Sequence, residues 1–161
     1  PPRTFQDPIY AGLAVATAMA VFIVARRGWF EGRHQFYDLA MLVMDSLGLG
    51  AFTVTGVGAA LEAGQDGAFL LIFVGVVTGV GGGVLRDVLA GDTPYIFVKH
   101  VYACASLLGA IVCVLLQPLA GESVSVVAGM LSVVALRFLS AYFHWNLPHA
   151  RVERSTERPE V

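Results

Sequence analysis

The sequence predicts an all-α integral membrane protein in which five transmembrane helices are visible. Three observations carry that prediction. Of the 161 residues, 57% are hydrophobic and only 14% charged, against about 25% charged in ordinary globular domains. The mean hydropathy is +0.72. The charges cluster in short segments between long uncharged runs, which is the pattern of a membrane protein rather than of a soluble core. The net charge of −2 with nine Arg and one Lys supplies no basic face, so nucleic-acid binding is not expected.

The elements follow from the uncharged runs. Pro8–Ala25 predicts a helix over 8–25, and Leu39–Leu61, interrupted by Asp45, predicts one over 39–61. Gly67–Leu85 with Arg86 and Asp87 behind it predicts a helix over 67–90. Val101–Gly121 predicts 100–120, and Ser123–Phe143, interrupted by Arg137, predicts 123–143. Each run is close to the roughly 20 residues that cross a hydrocarbon core as a helix. Spans must be helices or closed barrels, because unpaired backbone is too costly in lipid, and runs this long without alternation exclude the barrel. Residues 1–147 form the transmembrane domain. The segment 148–161 mixes Arg and Glu with Pro and Ser and reads as a disordered tail.

Orientation follows from the basic residues beside the membrane. One side holds Arg26, Arg27, Arg33, Lys99, Arg151, Arg154 and Arg158, and the other only Arg3. The C-terminal tail is therefore expected in the cytoplasm. Trp29, Phe30, Tyr142, Phe143 and Trp145 fall where an aromatic belt belongs on that face. For a prokaryotic parent the same bias places the protein in the bacterial inner membrane.

Sliding the sequence by 92 positions matches Pro2 with Pro94, Phe5 with Phe97, Tyr10 with Tyr102, Ala11 with Ala103 and Ala18 with Ala110. The shared pattern P-x-x-F-x-x-x-x-Y-A enters the first and the fourth apolar run. If those runs are equivalent, the two helices that precede the fourth run, over 39–61 and 67–90, have no counterparts before the first. The expected parent then has seven helices, two inverted three-helix repeats plus one, an architecture used by many transport proteins.

Inside the membrane two features carry chemistry. Eleven of the eighteen glycines lie between Gly48 and Gly83, and Gly75, Gly79 and Gly83 recur on one helix face. Close packing of the small-xxx-small kind explains the stripe. The run Gly81, Gly82, Gly83 further predicts a kink or break, which in a membrane lines a cavity or ion path. Four ionisable residues interrupt the spans: Asp45, Arg86, Asp87 and Arg137. Each is costly in lipid and is a functional candidate. At 1.5 Å per residue, Asp45 lies about 10 Å, Arg86 about 6 Å and Arg137 about 9 Å from the cytoplasmic face. Similar depths let Asp45 pair with Arg86 or with Arg137, either as a gate or as a static lock. Thr53, Thr55 and Thr78 offer pore-lining hydroxyls, though bonding back to their own helix is as common. The four histidines have no ligand spacing, so neither a metal nor a cofactor is expected. No nucleophile stands beside a base, so an enzyme is not expected.

The segment G-V-G-G-G-V-L-R-D at Gly79–Asp87, followed by P-x-x-F-x-K-x-x-Y-A at Pro94–Ala103, resembles the prokaryotic trimeric intracellular cation (TRIC) channel family, whose domain is also called a bacterial glycine-transporter domain. D-S-L-G-L-G-A-F-T-V-T-G from Asp45 is similar to that family's fourth helix. The resemblance runs from residue 1 to about Asn146. It implies seven helices, a homotrimer among membrane lipids, and a pore in each protomer conducting K+ and, less selectively, Na+. It also implies that glycine-kinked second and fifth helices line the pore, the kink here being Gly81–Gly83. The first two helices of that plan have no counterpart in this chain. A channel is the first reading. A secondary transporter of glycine or a similar zwitterion is the alternative, and a purely structural subunit a third.

Overall fold

The computed structural model describes residues 8–26, 34–94, 96 and 101–143. Among the described residues there are five helices: α1 (Pro8–Arg26), α2 (His34–Glu62), α3 (Ala68–Ala90), α4 (Val101–Ala120) and α5 (Glu122–Tyr142). The chain divides into two compact units, Pro1–Met41 and Leu42–Val161. The expected tail at 148–161 and the aromatics Trp29, Phe30 and Trp145 lie outside the described residues.

The first unit holds α1 and the opening turns of α2. Pro8 begins α1, where its fixed φ suits a first helical position and its missing N–H costs no bond. Arg26 closes it, placing a cation against the negative end of the helix dipole. The helix α2 begins at His34, five positions before the apolar run. Residues 34–38 contain neither Pro nor Gly, so nothing stops the helix from continuing out of the apolar zone.

The second unit holds the rest. The helix α2 ends where Gly64 takes φ 75°, with Gly64 N–H donating to Leu61 O at 2.9 Å and Gln65 N–H to Ala60 O at 3.1 Å. This Schellman pattern gives the last carbonyls partners. It recurs after α3, where Gly91 N–H donates to Val88 O and Asp92 N–H to Asp87 O. Between α4 and α5 stands only Gly121, at φ 81° and ψ 171°, a conformation essentially reserved for glycine. That residue folds α5 back along α4. The two helices meet backbone to backbone: a Cβ on either Gly109 or Gly129 would lie 2.9 Å from the other's carbonyl oxygen.

Among the described residues four helical segments are long and apolar enough to span a membrane: Leu39–Glu62, Ala68–Ala90, Val101–Ala120 and Glu122–Tyr142. The apolar stretch described in α1, Ala11–Val24, is shorter. Large side chains such as Phe69, Phe73, Leu85, Leu89 and Leu131 point outward, as lipid-facing residues do. The interior mixes small and branched side chains with a few large ones. One cluster joins Val54, Val57, Ala60, Leu71, Ala110 and Cys113, and another Leu49, Val80, Tyr102, Ala105 and Val133. Lipid tails are as apolar as these side chains, so close contact rather than water exclusion holds the helices together.

The break expected at Gly81–Gly83 is absent, because α3 is continuous from Ala68 to Ala90. Each glycine costs about 1 kcal/mol against alanine in a helix interior. A freed backbone group in hydrocarbon costs more, so the helix keeps its own bonds.

Candidate functional site: an ionic cluster beside a glycine-walled cleft

Asp45 on α2 meets α3 and α5 through side chains. The Asp45 carboxylate takes two guanidiniums at once: Arg137 Nη2 donates to Oδ2 at 2.8 Å, and Arg86 Nη1 donates to Oδ1 at 3.1 Å. Arg86 Nε also donates to Asp87 Oδ1 at 2.9 Å. Asp45 therefore does not choose between the two arginines; it bridges them. Two carboxylates face two guanidiniums, so the cluster is formally neutral. Its members differ in burial. The Arg137 side chain is 4% exposed and Asp45 10%, while Arg86 is 41% exposed.

Tyr102 on α4 completes the cluster. Its hydroxyl donates to Asp45 Oδ1 at 3.4 Å, and the Arg137 guanidinium carbon sits 4.9 Å from its ring centre, a cation–π contact. In the sequence Tyr102 stands out as a repeat position paired with Tyr10 and as the tyrosine of the Pro94–Ala103 pattern, and neither signal marks it as a partner of the charges.

Beside the cluster opens a cleft of about 200 Å³, lined by Asp45, Gly48, Leu49, Phe52, Gly79, Gly82, Gly83, Arg86 and Tyr102. Of the residues singled out in the sequence, Asp45, Arg86, Gly79, Gly82, Gly83 and the repeat position Tyr102 line this cleft. Asp87 is buried and backs Arg86, and Arg137 backs Asp45 from α5. A Cβ on Gly81 would meet nothing within 4 Å, so that residue answers to no close contact.

The threonines do other work. Thr53 is fully buried; its hydroxyl donates to Leu49 O at 2.7 Å and lies 2.7 Å from Ser106 Oγ. With its one proton on Leu49, Thr53 is left to accept from Ser106. This pair sits in the seam where α2, α3 and α4 meet, opposite Gly79, and does not line the cleft. A Cβ on Gly79 would overlap Thr53 Oγ1 and approach Ser106 Oγ at 2.8 Å. Thr78 is exposed and lies against Gly56, whose added Cβ would be 2.7 Å from it. Nothing in the sequence flagged Ser106. Among the described residues there is no group of His, Cys, Asp and Glu suited to a metal ion.

A bundle of apolar helices that holds an ionic cluster beside a cleft defines a class, the polytopic membrane proteins. The comparisons with known proteins narrow it. A family model described as "Glycine transporter" matches residues 42–118. The UPF0126 inner membrane protein YadS of Escherichia coli K12 is 32% identical over 148 residues, covering 89% of this chain and 67% of that protein. A UPF0126 membrane protein of Vibrio cholerae is 36% identical over 144 residues, covering 89% of this chain and 58% of the relative. Among solved structures, one described as the structural basis for conductance through TRIC cation channels matches with TM-score 0.79 at 30% identity, covering 95% of this chain and 72% of that one. The TRIC trimeric intracellular cation channel orthologue of Rhodobacter sphaeroides matches with TM-score 0.77 at 31% identity, over 90% and 72%. The chain belongs to the TRIC family of integral membrane proteins.

Proposed function

We propose that this chain is a subunit of a monovalent-cation channel, with K+ the main permeant ion and Na+ passing less selectively. The path runs along the glycine-walled cleft between α2, α3 and α4, and the Arg86–Asp45 contact forms part of its gate. The observation that carries the reading is the charge balance at the cleft. An uncompensated guanidinium there would repel cations; Asp45 and Asp87 offset Arg86 and Arg137. Glycines at 79, 82 and 83 leave the wall without side chains. Likeness to channels over most of the chain supports this reading. Glycine transport, the description attached to the family model, draws on no feature of the cleft and is not favoured.

The same reading makes the assembly a homotrimer with a pore in each protomer, surrounded by lipid, in a bacterial inner membrane. Its C-terminal end lies in the cytoplasm, as the seven-to-one excess of basic residues argues.

Single-channel recording in planar bilayers tests the proposal, first under asymmetric KCl and then under a K+/Na+ gradient. Discrete steps reversing near the K+ equilibrium potential are expected, with Arg86→Gln increasing the time spent open. Silence at high protein load, together with saturable uptake of radiolabelled glycine, would overturn it.

A further inference from the structure

Three donors converge on the two oxygens of Asp45, and they are not equivalent. Oδ2 belongs to Arg137, which is almost wholly buried and stacked on the Tyr102 ring. Oδ1 is shared by Arg86 at 3.1 Å and the Tyr102 hydroxyl at 3.4 Å. We propose that Tyr102 is a positioning residue for the gate: its hydroxyl closes on Asp45 Oδ1 when Arg86 swings away, so that Arg86 moves while Asp45 and Arg137 stay in place. The inference rests on the channel reading above for its functional consequence, though not for the geometry.

Each part has its own observation. A separation of 3.4 Å is long for a hydroxyl donating to a carboxylate, whose usual distance is about 2.6 Å. The hydroxyl is therefore already aimed at Oδ1 and shortens its bond once the competing donor leaves. Arg86 is the donor able to leave. It is 41% exposed toward the cleft, and its Nε keeps Asp87 as a partner while Nη1 releases Asp45. Arg137 has no such freedom, because leaving Asp45 would put a guanidinium into a packed interior.

Gly83 fixes where the hydroxyl sits. A Cβ added there would lie 2.6 Å from Tyr102 Oη and 3.4 Å from Cζ, too close for the ring to keep its position. Glycine at 83 thus serves the approach of Tyr102 rather than a break in α3.

Two measurements on the reconstituted protein test the device. The first is single-channel recording of Tyr102→Phe, which keeps the ring beneath Arg137 and removes only the hydroxyl. The second is the rate at which phenylglyoxal modifies Arg86 and Arg137, followed by peptide mass mapping, which needs no current. In the wild type Arg86 is expected to react and Arg137 to remain protected. Tyr102→Phe is expected to lower open probability about tenfold, the low end of the scale of one hydrogen bond to a charged group. Arg86 modification should slow by a similar factor, and Gly83→Ala should act in the same direction. Unchanged Arg86 modification in Tyr102→Phe, or Arg137 reacting faster than Arg86 in the wild type, would overturn the proposal. A wild type that carries no current but shows the expected modification pattern would sink the channel reading and leave the control of Arg86 by Tyr102 standing.

Discussion

Replacing Asp45 by Asn keeps the size and shape of the side chain and removes one charge, which leaves Arg137 as a buried cation without its carboxylate. The arginines do not weigh equally in the result. Arg86 is 41% exposed, and ion pairs of that kind contribute about 0–1 kcal/mol. Arg137 is 4% exposed and bonded at 2.8 Å, and breaking a buried pair from one side costs about 3–5 kcal/mol. The cation–π contact with Tyr102 is present in both proteins and cancels in the difference. The net loss is then about 3–5 kcal/mol. At roughly 2–4 °C per kcal/mol for a chain of this size, the midpoint of thermal unfolding should fall by about 10 °C, read by circular dichroism in detergent. The double variant Asp45→Asn/Arg137→Gln removes the stranded cation and should recover at least half of that fall, since directly contacting groups are strongly non-additive. A single variant whose midpoint lies within about 2 °C of the wild type, or a double variant that is worse than either single, would refute the reasoning.

Alanine at the glycines of α3 should separate packing from propensity. Gly79→Ala forces a Cβ into Thr53 Oγ1 and Ser106 Oγ and should destabilise by about 1–3 kcal/mol, as overpacking does. Gly81→Ala meets nothing within 4 Å and should raise stability by up to about 1 kcal/mol through helix propensity; equal behaviour of the two in thermal unfolding would contradict the seam described here. Thr53→Val keeps the volume but removes the acceptor for Ser106, for a loss of about 1–2 kcal/mol, and Thr53→Ser, which retains the hydroxyl, should lose less in the same assay.

The sequence by itself determined that this is a helical membrane protein. The reason is that bilayer thickness fixes the length of an uncharged run, and charged residues mark where it ends. It also singled out the four charges that the structure brings into one cluster, because an ionisable side chain in a span is costly wherever the helix points. Depth along the axis was legible too, since a constant rise per residue sets the height of Asp45, Arg86 and Arg137. What depth does not set is azimuth, the direction in which each helix turns its face toward its neighbours. Only the tertiary structure decided that Asp45 bridges both arginines, that Tyr102 joins them, and that Thr53 turns into the seam with Ser106 instead of lining the cleft. The glycine run shows the same division. Composition alone allowed either a broken helix or a closely packed one. The contacts of Gly79 with the Thr53–Ser106 pair and of Gly83 with Tyr102 select close packing, because in lipid a helix that keeps its own backbone bonds and lets its neighbours approach loses less than one that opens.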